Sequence, residues 1–363
     1  MSLKITKNGF SLRALVALFA LFLFPIFAFS QTSPTPDQTF DMSIFDQIQD
    51  TANEYLRKSI VPDMSPAYPG PMENVVIRLS SASTDLGRAN ISWYVDGKLK
   101  DGGIGKTTLA FRTGRIGDTS VVDIVIKTTE GIRADKKVVI SPADLELVWE
   151  ADSYVPPFYK GKALPTAQGK IKIVALPDFM SGNKKLDPKT LVYLWKNDDT
   201  DTRLVDSSGY GKSALSQNMP HIFDNESVSV TVSSLGNSIK AQRRIFVEPE
   251  ETSLLFYENN PVEGILYENA IPSTFNLTKE DFSVKAEPYF FSNKDRDGDM
   301  LSYEWSLGDK EIKPDTNEQV TFKQEGGGSG VSSVSLTLRN LANIFEQTSG
   351  SFTLNFKKEG LAF

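Results

Sequence analysis

Three short stretches each carry a tryptophan among strand-forming residues: Ile91-Ser-Trp93-Tyr-Val95, Val192-Tyr-Leu-Trp195-Lys196 and Ser302-Tyr-Glu-Trp305-Ser306. They recur at intervals of about 100 residues, the usual length of one β-sandwich domain. A tryptophan that faces inward between two antiparallel sheets can fill the centre of such a domain. The sequence therefore predicts one sandwich for each tryptophan, with Trp93, Trp195 and Trp305 in the cores.

The segments around each tryptophan recur in the same order. An alternating strand precedes it, a polar turn follows it, and two further strands complete the unit. We therefore predict an all-β chain of three tandem immunoglobulin-like sandwiches after a signal peptide and a short helical leader. The predicted divisions are a signal peptide over 1–30, a leader over 31–72, and domains over 73–142, 143–249 and 250–363.

The third unit resembles a known family. Asp295-Arg-Asp297-Gly-Asp299, then Tyr303-Glu-Trp305, then Gly308-Asp309, is similar to the pattern of the bacterial PKD-type domain. The first two units keep the tryptophan strand but lack the Asp-rich turn. The resemblance implies a spacer or interaction module of surface and secreted proteins, and it implies no chemistry.

The N-terminal segment has the pattern of an export signal. Lys4, Lys7 and Arg13 precede an uncharged apolar run over 14–29, and Ala28 and Ser30 suit cleavage before Gln31. We expect an extracytoplasmic protein, secreted or held at the cell surface. The alternative is that the segment stays as an N-terminal membrane anchor.

Composition restricts the partners and the chemistry. The net charge of −7 disfavours binding to nucleic acid. No cysteine is present, so disulfides and thiolate ligands are excluded, which favours a bacterial over an animal extracellular protein. The cores must be held by packing alone.

The leader contains a helical pattern. Phe45, Ile48, Ala52, Tyr55 and Leu56 follow at spacings of three and four residues, which predicts one short amphipathic helix that ends before the proline-rich run over 61–71.

A glycine-rich segment over 101–108, Asp-Gly-Gly-Ile-Gly-Lys-Thr-Thr, is similar to a phosphate-binding loop. Lys100 and Asp101 stand where such loops require other residues, and the motif returns as Gly209-Tyr-Gly211-Lys212-Ser213 at the same place in the second unit. We interpret it as a loop between strands of the repeated sandwich.

No pattern indicates catalysis. His221 is the single histidine, and no carboxylate pair is singled out among 46 acidic residues. We predict a protein that is not an enzyme and has no cofactor, with a hydrolase of unrecognised carboxylates as a remote alternative.

The Asp-rich turn provides the one candidate metal site. Asp295, Asp297 and Asp299 alternate in a short segment from which several carboxylates can meet a calcium ion. The alternative is a solvated acidic turn between two strands.

Two dense aromatic segments provide the candidate ligand contacts. Their members are Tyr154, Phe158, Tyr159, Tyr289 and Phe290. Exposed rings of this kind can stack on sugars or peptides, whereas buried rings would serve local packing or an interface between domains.

These observations together predict an exported structural, adhesion or envelope-assembly protein, built as a rod of sandwiches, whose partners are other envelope or surface proteins. The alternative is a carbohydrate- or peptide-binding accessory module that uses the exposed aromatics. Membrane association is expected only if the N-terminal segment is retained.

Overall fold

The computed structural model describes residues 43–220, 225–277, 281–324 and 329–356. The predicted signal peptide, the first part of the leader and His221 lie outside these residues. The chain divides into two compact units. The first comprises the chain up to Asp144 with segments 178–186 and 236–241, and the second comprises 145–177, 187–235 and 242–363.

The predicted leader helix is present as α1, Ser43–Ser59. Leu56 is buried in the core of the first domain, whereas Phe45, Ile48 and Tyr55 remain more than half exposed. Only part of the apolar face therefore packs against the sandwich. Among the described residues, no helix is long and apolar enough to span a membrane.

The first domain is a sandwich of a three-stranded sheet, β1-β2-β5, and a four-stranded sheet, β4-β3-β6-β7. Both sheets are antiparallel, and alternate residues of their strands enter one core. The strands are β1 Ile60–Ser65, β2 Asn74–Ser81, β3 Asn90–Val95, β4 Lys98–Ile104, β5 Thr108–Arg112, β6 Ser120–Lys127 and β7 Arg133–Ile140.

The leader predicted over 31–72 extends too far into this domain. Strand β1 lies inside that segment, pairs with β2 from Ile60 opposite Ser81 to Ser65 opposite Val76, and buries Ile60. Pro62 obscured it in the sequence, because proline is excluded from central strands but tolerated on an edge strand such as β1.

The second domain pairs β15-β9-β8 in one sheet and β13-β12-β16-β17 in the other, with β14 also on β12. A small β10-β11 hairpin follows β9, and a 3₁₀ turn, Pro188–Thr190, precedes β12. The strands are β8 Asp144–Ala151, β9 Lys170–Asp178, β10 Met180–Ser181, β11 Lys184–Lys185, β12 Val192–Asn197, β13 Thr202–Arg203, β14 Gly209–Tyr210, β15 Ala214–Asn218, β16 Glu226–Ser233 and β17 Lys240–Val247.

The third domain has sheets β19-β18-β21-β24 and β20-β26-β25-β22-β23, with β20 parallel to β26. A five-residue helix, α2 Asn293–Asp297, joins the two sheets. The strands are β18 Ser253–Asn260, β19 Gly264–Ala270, β20 Thr274–Leu277, β21 Asp281–Tyr289, β22 Leu301–Leu307, β23 Lys310–Glu311, β24 Gln319–Lys323, β25 Gly330–Asn340 and β26 Gln347–Phe356.

The prediction of three tandem sandwiches is confirmed, and the repeat extends to a single hydrogen bond. Trp93, Trp195 and Trp305 are buried on equivalent strands β3, β12 and β22. In each domain the indole N–H donates to the backbone carbonyl of a residue just before another strand begins. That strand is β5, β15 or β24, which pairs with β2, β9 or β21 respectively. The acceptors are Lys106 at 2.7 Å, Lys212 at 2.9 Å and Asn317 at 3.0 Å.

This bond explains why the glycine-rich segment over 101–108 recurs over 209–213, each with a glycine directly before a lysine, which we call the glycine-lysine motif. Gly105 and Gly211 precede the acceptor residues with φ of 71° and 69°, the left-handed region that favours glycine. Their N–H groups donate to the carbonyls of Ala89 and Leu191 at 2.9 and 2.8 Å. The motif therefore presents a carbonyl to the core tryptophan in the first two domains.

Candidate functional site

The two predicted aromatic segments lie against each other within the second unit. The N–H of Tyr154 donates to the carbonyl of Phe291, and the N–H of Phe290 donates to the carbonyl of Tyr154, both at 2.7 Å. An isolated β-bridge between Ser153 and Ser292 extends this pairing. The loop after β8 and the end of β21 thus meet at one place.

A buried carboxylate lies beneath the aromatic rings. Glu287 is 1% exposed, and its two oxygens accept hydrogen bonds from the hydroxyls of Tyr154 at 2.8 Å and Tyr267 at 2.6 Å. Burial, together with the adjacent Glu287 carboxylate, raises the pKa of both tyrosines. These hydroxyls therefore stay protonated as donors.

The rings form a continuous cluster. Phe158 contacts Tyr267 with centroids 6.2 Å apart, and Tyr159 packs edge-on against Tyr289 at 5.6 Å and Phe290 at 6.2 Å. The hydroxyls of Tyr289 and Tyr257 bond each other at 2.7 Å. We call the rings of Phe158, Tyr159, Tyr257, Tyr267, Tyr289 and Phe290 the aromatic cluster.

The five predicted contact residues differ in exposure. Phe158 is 84% exposed and Tyr159 is 37% exposed. Tyr289 is buried, and Tyr154 and Phe290 are half-buried. The structure thus brings all five together but leaves mainly Phe158 and Tyr159 accessible to a ligand, while the others support them.

A charged group packs on the other side of Tyr154. The Arg296 guanidinium lies 4.0 Å from the centroid of the Tyr154 ring and donates to Glu318 at 3.0 Å. Glu318 also forms an ion pair with Lys285 and accepts from Tyr303. Burial alone would raise the pKa of Glu318, but the hydrogen bond and charge of Lys285, with Arg296, hold it below its ordinary value.

The three aspartates of the predicted calcium site do not converge. Asp295 accepts from the side-chain amide of Asn340 at 2.9 Å, whereas Asp297 and Asp299 are exposed on α2 and the turn after it. In the described part of the chain, no group of three or more His, Cys, Asp or Glu side chains has the arrangement of a metal site. The segment forms a capped helical turn, with the Ser292 hydroxyl accepting from the N–H of Asp295.

A second buried carboxylate connects the second and third domains. Glu346 is 0% exposed and accepts from the Thr166 hydroxyl at 2.6 Å, the N–H of Ser292 at 3.0 Å and the Asn340 amide at 2.7 Å. Nearby, the buried Asn343 amide donates to the carbonyl of Ala167 at 2.9 Å. We call Thr166, Ser292, Asn340, Asn343 and Glu346 the junction network.

Sequence reasoning missed Glu287, Glu318 and Glu346. Each is an isolated acid in a strand or loop, and such residues are usually solvated. Tyr267 carried a weak indication, because Ile271-Pro272 follows it shortly after, much as Leu164-Pro165 follows Tyr159 in the second domain. Only the fold shows that Tyr267 lies beside Phe158.

No protein-family model and no curated protein sequence matches this chain. Solved structures similar to it include the three N-terminal domains of the bacteriophage RB49 Highly Immunogenic Outer Capsid protein, at 8% identity and TM-score 0.25, covering 83% of this chain and 99% of that one. Fibronectin(III)-like modules of Clostridium thermocellum CbhA match at 13% identity and TM-score 0.25, covering 52% and 94%. Sidekick-1 immunoglobulin domains 1–5 match at 10% identity and TM-score 0.23, covering 82% and 61%.

These identities and TM-scores are too low to extend the function of those proteins to this chain. The strand pairing and the three inward tryptophans define the class: a tandem array of immunoglobulin-like β-sandwiches.

Proposed function

We propose that this chain is an exported, non-enzymatic structural protein of the cell surface or envelope, in which the second and third domains are fixed against each other. The observation that carries the proposal is the junction network. A fixed pair of sandwiches can hold an adhesive or assembly surface in a defined orientation toward other envelope proteins.

The chemistry of the network supports a fixed junction. Interfaces between domains of one chain are commonly polar and permit relative motion. Here Glu346 is fully buried, and three donors converge on its two oxygens. Separating the domains would expose these bonds one by one, and any intermediate displacement would leave buried polar groups unpaired.

The absence of cysteine makes the junction directly testable. Cysteines at the exposed positions Lys170 and Lys313, one on each domain, would carry spin labels for a distance measurement by electron paramagnetic resonance. We expect a narrow distance distribution that broadens in Glu346→Ala. Glu304→Ala, which removes an exposed acid paired with Arg339, is the matched control and should leave the distribution narrow. A broad distribution in the unmodified chain would contradict the proposal.

Export is the second part of the proposal, and it is supported by the pattern of residues 1–30. When the full chain is expressed in a bacterial host, we expect the exported product to begin at Gln31. Recovery of the uncleaved chain from the membrane fraction would instead assign the segment as an anchor.

The Asp-rich turn followed by Tyr303-Glu-Trp305 supports a PKD-type spacer role for the third domain.

A second candidate function rests on a separate observation, the exposure of Phe158 and Tyr159 above a supporting set of rings. Two adjacent exposed aromatics are the kind of surface that a carbohydrate- or peptide-binding module presents. The same chain can combine the two functions, since the backbone pairing of Tyr154 with Phe290 and Phe291 joins the two domains where the rings meet.

A further inference from the structure

We propose that Phe158 and Tyr159 form a stacking platform for the pyranose rings of a neutral polysaccharide. The proposal deepens the second candidate function and rests on it. Tyr267, Tyr289 and Phe290 act as the support beneath the platform, and Tyr154 acts only through its hydrogen bond to Glu287 and its backbone pairing with the end of β21. Of the five aromatic residues predicted from sequence, two are thus assigned to the ligand.

The platform is preorganised from below. The hydroxyls of Tyr267 and Tyr289 are already paired, with Glu287 and Tyr257 respectively. These rings therefore have fixed orientations, and the contacts of Phe158 and Tyr159 rest on rigid neighbours. A ligand that stacks on a fixed ring loses less free energy to ordering than one that must immobilise a mobile side chain.

The backbone of the turn is also constrained. Pro156 and Pro157 fix two consecutive φ angles, and the N–H of Tyr159 donates to the carbonyl of Pro156 at 3.2 Å. Phe158 itself has φ of 68°, a left-handed conformation that is uncommon for a bulky residue. The fold thus holds a phenyl ring outward on a strained backbone, where glycine would be easier to accommodate, which indicates a use for the ring.

The turn that carries the platform favours a sugar over a peptide. Residues 154–169 between β8 and β9 form no strand, so the turn itself offers no edge to which a peptide could add a strand. A pyranose ring needs only a flat ring face for its C–H groups and polar groups at the rim for its hydroxyls. Lys160, exposed on the same turn, provides such a donor.

Charge favours a neutral sugar over an acidic one. The third domain, residues 250–363, contains 19 acidic and 10 basic residues, and the whole chain has a net charge of −7. Because Tyr267, Tyr289 and Phe290 of this acidic domain lie beneath the platform, the excess of acidic residues disfavours polyuronates. The second lysine of the turn, Lys162, lies 3.1 Å from the centroid of the Trp149 ring and is already engaged.

The test is titration calorimetry on the purified full chain with three soluble neutral polysaccharides: a β-glucan, a glucomannan and a galactomannan. Polygalacturonate and a proline-rich peptide are the competing probes. We expect binding to at least one neutral polysaccharide, weakened about tenfold or more in Phe158→Gly and in Tyr159→Ala. Phe246→Ala, which removes an exposed ring elsewhere on the second domain, should bind normally.

Phe158→Gly separates ligand binding from folding. Glycine accepts the positive φ without strain, so this variant should unfold at nearly the unmodified temperature while losing the platform. Binding to no neutral polysaccharide, or binding that survives Phe158→Gly, would overturn the proposal. A preference for polygalacturonate would contradict the proposal that the polysaccharide is neutral. Binding of the proline-rich peptide that is lost in Phe158→Gly and Tyr159→Ala would show that the ligand is a peptide and not a sugar. The spin-label distances test the structural proposal independently of all these outcomes.

Discussion

Each core tryptophan has two separable roles at the scale of a single residue. Its rings fill the space between two sheets, and its indole N–H satisfies a backbone carbonyl at the start of a strand in the opposite sheet. Since the donor is the same in all three domains while the acceptor residue changes from lysine to asparagine, the backbone geometry is what the repeat preserves.

The two roles of Trp305 predict that two substitutions lower the free energy of unfolding by different amounts. Trp305→Ala should empty the core of the third domain and lower the free energy of unfolding by about 3 to 5 kcal/mol. Trp305→Phe should lose less, because the core stays largely filled and mainly the bond to the Asn317 carbonyl disappears. Urea unfolding of the full chain measures both. Trp149→Ala, at a half-buried tryptophan outside the cores, is the control, and a loss equal to that of Trp305→Ala would contradict this account.

Glu318 gives a pH dependence with a definite sign. Its folded pKa is held below the ordinary value near 4.5, so ionised Glu318 contributes stability that is fully present above that value. This contribution is lost as the pH falls through the lowered folded pKa. Glu318→Gln should therefore destabilise the protein near neutral pH and reduce the loss of stability that occurs as the pH falls below about 4.5. Acid titration of the melting temperature checks this, and parallel curves for the two proteins would refute it.

At the scale of the element, the glycine-lysine motif shows that a sequence pattern can recur for a structural reason and without binding a ligand. A β-carbon on Gly105 would lie 2.8 Å from the carbonyl oxygen of Gly87, whereas one on Gly97 would meet nothing within 4 Å. Both glycines have positive φ, 71° and 75°. Alanine at either position should cost about 1 to 2 kcal/mol for the left-handed backbone.

The difference between these two variants isolates the close contact. Gly105→Ala should lower the free energy of unfolding by clearly more than Gly97→Ala, since the clash involves backbone on both sides. Chemical denaturation of the two variants provides the comparison. Equal losses would mean that the loop relaxes freely, and the structural explanation of the motif would fail.

The Asp-rich segment is an element whose sequence suggests a ligand site but whose structure is a helical turn. With Asp295 bonded to Asn340 and the other two aspartates exposed, added calcium should leave the melting temperature of the chain unchanged. Asp297→Ala should behave the same with and without the ion. A calcium-dependent rise in melting temperature that disappears in Asp297→Ala would restore the metal site predicted from the sequence.

For the whole molecule, the sequence predicted those features of the fold that depend on local periodicity. Alternating residues on both sides of Trp93, Trp195 and Trp305 placed the strands and their buried faces. It could not predict the first strand, where Pro62 interrupts the pattern. It could not predict the junction either, because Thr166 and Glu346 meet across 180 residues and neither has a distinctive neighbourhood in the chain.

That long-range contact leads to the prediction that bears most on the whole molecule. Glu346→Ala leaves the buried Thr166 hydroxyl and the Ser292 N–H without an acceptor, and the side-chain NH₂ group of Asn340 keeps only its bond to Asp295. At about 1 to 3 kcal/mol for each buried polar group left unpaired, the variant should lose about 3 kcal/mol or more. Glu346→Gln should lose much less, since its amide oxygen can accept from Ser292 and Asn340 while its NH₂ donates to the Thr166 hydroxyl.

Differential scanning calorimetry distinguishes a junction from an ordinary stabilising contact. If the network couples the domains, the second and third domains should unfold in one transition that splits in Glu346→Ala and stays single in Glu346→Gln. Thr166→Val combined with Glu346→Ala should cost less than the sum of the two single substitutions, because both remove the same bond. Additive losses with an unsplit transition would show that the two domains unfold together for another reason, and the fixed pair would then need a different physical basis.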